Sequence, residues 1–252
     1  MKKSMLIGVQ IYILKDHLTT RQDISASLKK LKTIGLEHVE VYSLEPVVSD
    51  SDFAQMLKDE GLSCLAFHSR MIFDAPEKLV ETLALFDCSY IVYPWPYTDP
   101  QNEADYKRLG QKLDVAGAMF AKAGKTLLYH NHAKEFERFG NRCALEIIYE
   151  ETDPANLKAE LDTYWIQYGG GNPVAWCSRL KGRLSIVHAK DLGIINNQIK
   201  FMEVGSGNLD WAGIIKAAKN SGCKALVIEQ DSCPGNAFDS VKKSFDFLSG
   251  VI

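Results

Sequence analysis

The chain has 252 residues, 46% apolar and 24% charged, the proportions of an ordinary globular protein with a large core. A net charge of −3 leaves no polybasic footprint, so neither nucleic acid nor an anionic membrane is an expected partner. The six cysteines (Cys64, Cys88, Cys143, Cys177, Cys223 and Cys233) are scattered without a Cys-x-x-Cys pair, which argues for reduced thiols and against a disulfide framework.

Lys2-Lys3 and the apolar run from Met5 to Leu14 resemble the first half of a secretion signal. Gln10 interrupts that run, and Lys15, Asp16 and His17 follow it without a small-residue cleavage site, so a first strand and a cytoplasmic location are expected. No apolar run approaches the ~20 residues of a membrane span.

Strands are expected at residues 6–11, 38–42, 63–68, 90–95, 126–132, 157–162, 184–188 and 225–229, where β-branched and aromatic residues concentrate. Helical spacing lies between them: Ile24, Leu28, Leu31 and Ile34; Tyr106, Leu109, Leu113, Gly117 and Phe120; Val241, Phe245 and Leu248. Gly35, Gly61, Gly124, Gly182 and Gly222 stand where helices should stop. Strict alternation of strand and helix forces parallel pairing with right-handed crossovers. With no Gly-x-Gly-x-x-Gly after the first strand, a closed (β/α)8 TIM barrel is expected over an open sheet. No Pro- or Ser-rich linker interrupts the chain, so residues 1–252 are expected to form a single domain.

His132, Asp162, His188 and Glu229 close four successive apolar runs in the second half. In a parallel barrel such strand ends converge on one mouth. Two imidazoles and two carboxylates there suit one divalent metal ion, manganese, zinc or iron(II). His130 and His132 share one strand face, so His130 can act as the base while His132 binds the ion. Asp162 taken alone can also be the N-cap of the next helix. Lys190 follows His188 by two and shares its face.

The segments Tyr129-His-Asn-His132, Glu160-Leu-Asp-Thr-Tyr-Trp165, Val187-His-Ala-Lys-Asp191, Glu203-Val-Gly-Ser-Gly-Asn-Leu-Asp-Trp211 and Val227-Ile-Glu-Gln-Asp231 resemble the sugar phosphate isomerase/epimerase family of the xylose-isomerase-like barrels. The resemblance implies a single metal held by Glu, Asp, His and Glu from strands five to eight. Asp162, His188 and Glu229 match the last three. At the fifth strand this chain has His132, with Glu135 three residues on, where ketose epimerases place a glutamate that also moves substrate protons. Glu229 with His130 or Glu135 would then exchange the proton, and Lys190 would touch a substrate oxygen or hold a carboxylate. Trp165, with Tyr164, Trp95 and Tyr97, would wall the sugar. Glu40 and His68 would line the substrate side of the mouth or simply bond across strands. Gly205-Ser-Gly207, ahead of the N-cap candidate Asp210, reads either as a plain loop or as a phosphate-binding one.

AP endonuclease IV needs three zincs and more histidines; this chain has Trp165 where a second sixth-strand histidine would be expected, which argues against DNA repair. The implied function is a metal-dependent isomerase or epimerase of a small sugar or keto-sugar, working through an enediolate. A metal-dependent dehydratase or lyase on the same site is the first alternative. A barrel that binds sugar without turning it over is the second.

Overall fold

A computed structural model describes residues 5–96 and 99–252. Tyr97, one of the wall candidates, lies outside the described residues. Eight parallel strands close into a barrel: β1 (Leu6–Gln10), β2 (His38–Tyr42), β3 (Ser63–His68), β4 (Tyr90–Tyr93), β5 (Thr126–His130), β6 (Leu157–Asp162), β7 (Leu184–Ala189) and β8 (Ala225–Ile228). Each pairs with its sequence neighbours, and β8 pairs with β1 to shut the ring. Among the described residues, no helix is long and apolar enough to cross a membrane.

Strand ends differ from expectation for local reasons. β1 stops at Gln10, whose side chain accepts from Tyr12 N and turns the chain into a 3-10 segment, Ile11–His17. β4 stops at Tyr93 because Pro94 has no N–H to continue the ladder. Helix α1 (Arg21–Ile34) is capped by Thr20, which accepts from Asp23 N, and ends at Gly35 with φ 109°. The helix Glu103–Lys122 is capped by Asn102, and needs Gly117 because a Cβ there would stand 2.1 Å from Asn156 O. Two hairpins interrupt the alternation, Arg138–Phe139 with Arg142–Cys143 and Asp191–Ile195 with Gln198–Met202. The second turns through Asn196 and Asn197, both at positive φ, as a two-residue hairpin demands.

Apolar packing falls into two clusters. The larger lies between barrel and helices and takes Leu127, Tyr129, Val187 and Ala189. The smaller comprises Ala66, Val92, Leu128, Ile186 and Val227, the opposite faces of the same strands, and plugs the barrel interior. Two residues beyond the plug on the same faces stand His68, His130, His188 and Glu229, and two further again His132, Lys190 and Asp231. The strand alternation therefore stacks a polar storey on an apolar floor. One-residue register shifts between Val39/Glu40 and Ala159/Glu160 put the extra residue, Leu65 or Ser185, three positions ahead of His68 and His188. Such bulges re-aim side chains beside active sites.

Candidate active site and metal centre

Register brings the donors together. His130 on β5 is opposite Glu160 on β6, and Asp162 is opposite His188 on β7. Glu229 directly follows β8. One ligand atom from each of His130, Asp162, His188 and Glu229 lies within 4.8 Å of the others. Asp162, His188 and Glu229 thus meet as their strand ends suggested. The fifth-strand member of the cluster, however, is His130.

His132 and Glu135, the expected fifth-strand alternatives, are corrected by their surroundings. Glu135 accepts from Tyr129 Oη at 2.7 Å and from His132 N at 2.8 Å. Tyr129 belongs to the packing between barrel and helices, so this carboxylate faces away from the mouth and stands outside the donor cluster. Burial raises its pKa, opposed by those hydrogen bonds. The His132 ring packs edge-on to Trp95 at 4.8 Å and lies 5.6 Å from Trp165, with Nδ1 buried and without a partner. Burial, reinforced by the Lys190 charge, lowers His132 to about 3 and keeps it neutral.

Asp162 serves two purposes. One oxygen accepts from Trp165 N at 2.9 Å, capping the helix Thr163–Tyr168, while the other is buried with no hydrogen-bond partner. Burial raises its pKa, against the pull of Lys190. Thr163 Oγ1 donates toward the His188 and Lys190 carbonyls and accepts from Lys190 N, pinning β7 to the start of the helix Thr163–Tyr168.

Lys190 is 1% exposed, and its ammonium lies 2.5 Å from Asp231, 3.0 Å from Glu229 and 3.5 Å from Asp162. Of its two expected roles, the structure gives it the carboxylates. Burial alone would favour the neutral amine; the three acids outweigh it and raise the pKa. Asp231 was not anticipated from sequence, although it is two residues past Glu229 on the same face.

His188 divides its ring between two groups. Nδ1 is 3.1 Å from Glu229 Oε2; Nε2 is 2.6 Å from Glu40 Oε1 and 3.0 Å from Glu160 Oε1. Burial opposes its protonation, yet Glu160 and Glu40 lift its pKa well above the usual imidazole range. His68 Nε2 lies 2.6 Å from Glu40 and 3.0 Å from Glu160 and is raised to about 10 by the same pair, again against burial. The expectation that Glu40 lines the substrate side is corrected: it is 0% exposed and also takes the Gln10 amide at 2.8 Å. His68 keeps 12% of its side chain exposed but is occupied with the same two acids. Glu160, missed from sequence, is drawn down to about 2 by His188 and His68, against burial and the repulsion of Glu40. Its signal was period two on β6, since Glu160 and Asp162 share a face.

Gly205-Ser-Gly207 serves the protein itself. The Asp191 carboxylate accepts from Gly205 N, Gly207 N, Leu209 N and Trp211 Nε1 at 2.6–3.3 Å, leaving those donors no phosphate to bind. Asp210 caps the helix Trp211–Ser221 by accepting from Gly213 N. Trp165 packs on Tyr164 and Phe201 beside the mouth, its ring centroid 5.3 Å from Lys190 Nζ.

Two imidazoles and two carboxylates, one with a buried oxygen that has no hydrogen bond and only a 3.5 Å ion pair to Lys190, are a donor set that fits a divalent ion of borderline hardness.

The crystal structure of a sugar phosphate isomerase/epimerase from Parabacteroides distasonis superposes with a TM-score of 0.79 at 26% identity, covering 98% of this chain and 94% of that one. The IOLI protein with a bound zinc atom superposes with a TM-score of 0.71 at 14% identity, covering 98% of each chain. An inosose dehydratase from Clostridium beijerinckii is 22% identical over 165 residues, a match spanning 58% of this chain and only 55% of that protein. Residues 28–250 match the family model, and the chain belongs to the xylose isomerase-like TIM barrel family.

Proposed function

We propose that this protein is a metal-dependent isomerase or epimerase of a small sugar or keto-sugar, with one divalent ion held by His130, Asp162, His188 and Glu229. The observation that carries this reading is the convergence of those four donors within 4.8 Å at the barrel mouth. A divalent ion supplies Lewis acidity at a carbonyl oxygen and so makes the neighbouring C–H acidic. Glu229 receives that proton, because its carboxylate stands at the cluster's open side and is held ionised by Lys190 and His188. Lys190 holds Glu229 and Asp231 in fixed directions and cannot itself ligate a cation. Trp165 and Trp95 flank His132 and offer aromatic faces to the C–H side of a sugar ring.

A dehydratase is the second reading, and one feature favours it. With His130 at the fifth strand and Glu135 turned away, Glu229 is the one glutamate of the donor cluster among the described residues, and one base is enough for eliminating a β-substituent. The resemblance to inosose dehydratase, which covers about half of that protein, points the same way.

The test is solvent exchange. Ketoses, inososes and 3-keto-glycosides incubated in deuterated buffer are analysed by mass spectrometry with and without a chelator. Metal-dependent deuterium uptake without mass loss supports the isomerase or epimerase; uptake with loss of water supports the dehydratase. Exchange that survives complete chelation overturns both, and bound but unreactive sugars leave a binding barrel.

A further inference from the structure

Glu160 stands outside the four-donor cluster, yet its Oε1 reaches both imidazoles of that cluster. It lies 3.1 Å from His130 Nδ1 and 3.0 Å from His188 Nε2, and the residue is 0% exposed. Glu40 Oε1 meets the same His188 Nε2 at 2.6 Å. An ionised carboxylate only accepts, so the ring nitrogens facing these acids carry the hydrogen. An imidazole that ligates an ion carries one N–H, so in the ion-loaded site the lone pair would stand on Nε2 of His130 and on Nδ1 of His188. The His188 Nδ1 is the nitrogen 3.1 Å from Glu229, on the opposite edge of the ring from Glu40.

We propose that Glu160, assisted by Glu40, is a positioning residue that fixes the tautomers of both histidine ligands, so that His130 presents Nε2 and His188 presents Nδ1 to the ion. This rests on the metal site proposed above. A carboxylate behind a ligating imidazole sets its ring orientation and raises its basicity, and in this barrel one carboxylate serves two rings.

A rival use of the same residues is a second ion held by Glu40, His68, Glu160 and His188, whose donor atoms also lie within 4.8 Å of one another. The separations speak against it. Glu40 Oε1 is 2.6 Å from both His68 Nε2 and His188 Nε2, a hydrogen-bond length. Ligands at ~2.0–2.1 Å from a tetrahedral ion stand roughly 3.3 Å apart.

The test uses the full chain labelled with [15N]histidine and loaded with zinc. Long-range 1H–15N spectra distinguish the protonated from the metal-bound nitrogen of each ring. The expected result is one zinc per chain, with His130 bound through Nε2 and His188 through Nδ1. Glu160→Gln should weaken zinc binding by roughly 10- to 100-fold and give mixed tautomers at His130, because the amide presents an N–H toward one ring. Glu160→Asp, which keeps the charge, should recover part of the affinity. Zinc bound through the other nitrogens, two zincs per chain, or a Glu160→Gln variant with unchanged affinity and tautomers overturns the inference while leaving the metal site standing. No zinc uptake by the wild type overturns the metal site itself, and the inference with it. The wild-type spectra decide the nitrogens even if the variants fail to fold.

Discussion

Lys190 Nζ lies 3.0 Å from Glu229 Oε2, inside a barrel mouth where a divalent ion would share the same carboxylate. With Asp231 at 2.5 Å and Asp162 at 3.5 Å, the lysine is the nearest compensating cation for three buried or half-buried acids. An ion in the proposed site would therefore share with the ammonium the neutralisation of one patch of charge, and loss of either would shift the burden to the other.

Lys190→Met tests that sharing. Removing one member of a buried charge group costs ~3–5 kcal/mol because the remaining charges stay uncompensated. The metal-free variant should lose about that much in urea unfolding, and saturating manganese should restore more stability to the variant than to the wild type. Equal losses with and without metal would show that the two cations act independently.

Uptake of the ion should release protons. In the metal-free protein His188 is held well above the usual imidazole range by Glu160 and Glu40, against burial, so at neutral pH both ring nitrogens carry hydrogen. Binding through one nitrogen must displace a proton, and the apparent affinity should rise about tenfold per pH unit up to the raised pKa and fall on acidification. Calorimetry in two buffers of different ionisation heat measures the release. An affinity that stays constant from roughly pH 6 to 8 would contradict the protonated His188.

The Asp191 carboxylate is a structural anchor, and its variant should behave as one. It accepts from three part-buried loop N–H groups and the buried Trp211 indole, so Asp191→Ala strands four donors at up to ~1–3 kcal/mol each. Thermal denaturation should show a loss of at least about 3 kcal/mol, and inorganic phosphate should not protect the wild type. Clear stabilisation by phosphate would return the Gly205–Gly207 loop to ligand binding.

The barrel was legible because each strand carries its own apolar run and each of Gly35, Gly61, Gly124, Gly182 and Gly222 adopts the positive φ that ends a helix. Asp162, His188 and Glu229 were legible as polar residues closing such runs. Glu160 and Asp231 were not, since a strand end draws attention to one residue whereas a barrel interior repeats every second one. The choice among His130, His132 and Glu135 turned on two facts invisible in a linear pattern. Tyr129 faces the helices and draws Glu135 with it, and the register sets His130 opposite Glu160. The extra residues Leu65 and Ser185 break the alternation that a sequence pattern assumes, so the partnership of His68 and His188 with Glu40 had no one-dimensional signal.

Glu229 and Glu135 are both buried glutamates near the fifth-to-eighth strand ends, and the geometry assigns them opposite consequences. Glu229 joins the donor cluster and contacts Lys190, whereas both Glu135 oxygens are committed to Tyr129 and the His132 backbone outside the mouth. Glu229→Gln removes the proposed charged ligand and the proposed proton acceptor together, and should abolish deuterium exchange while lowering metal content. Glu135→Gln keeps the side-chain shape and one acceptor, so it should cost ~1–3 kcal/mol in unfolding free energy and leave exchange per folded molecule within about twofold of wild type. The decisive measurement is exchange rate normalised to folded, metal-loaded protein for the two variants side by side. If Glu135→Gln stops exchange at full metal occupancy, its carboxylate takes part in proton transfer, and the one-base site argued for the dehydratase reading is lost.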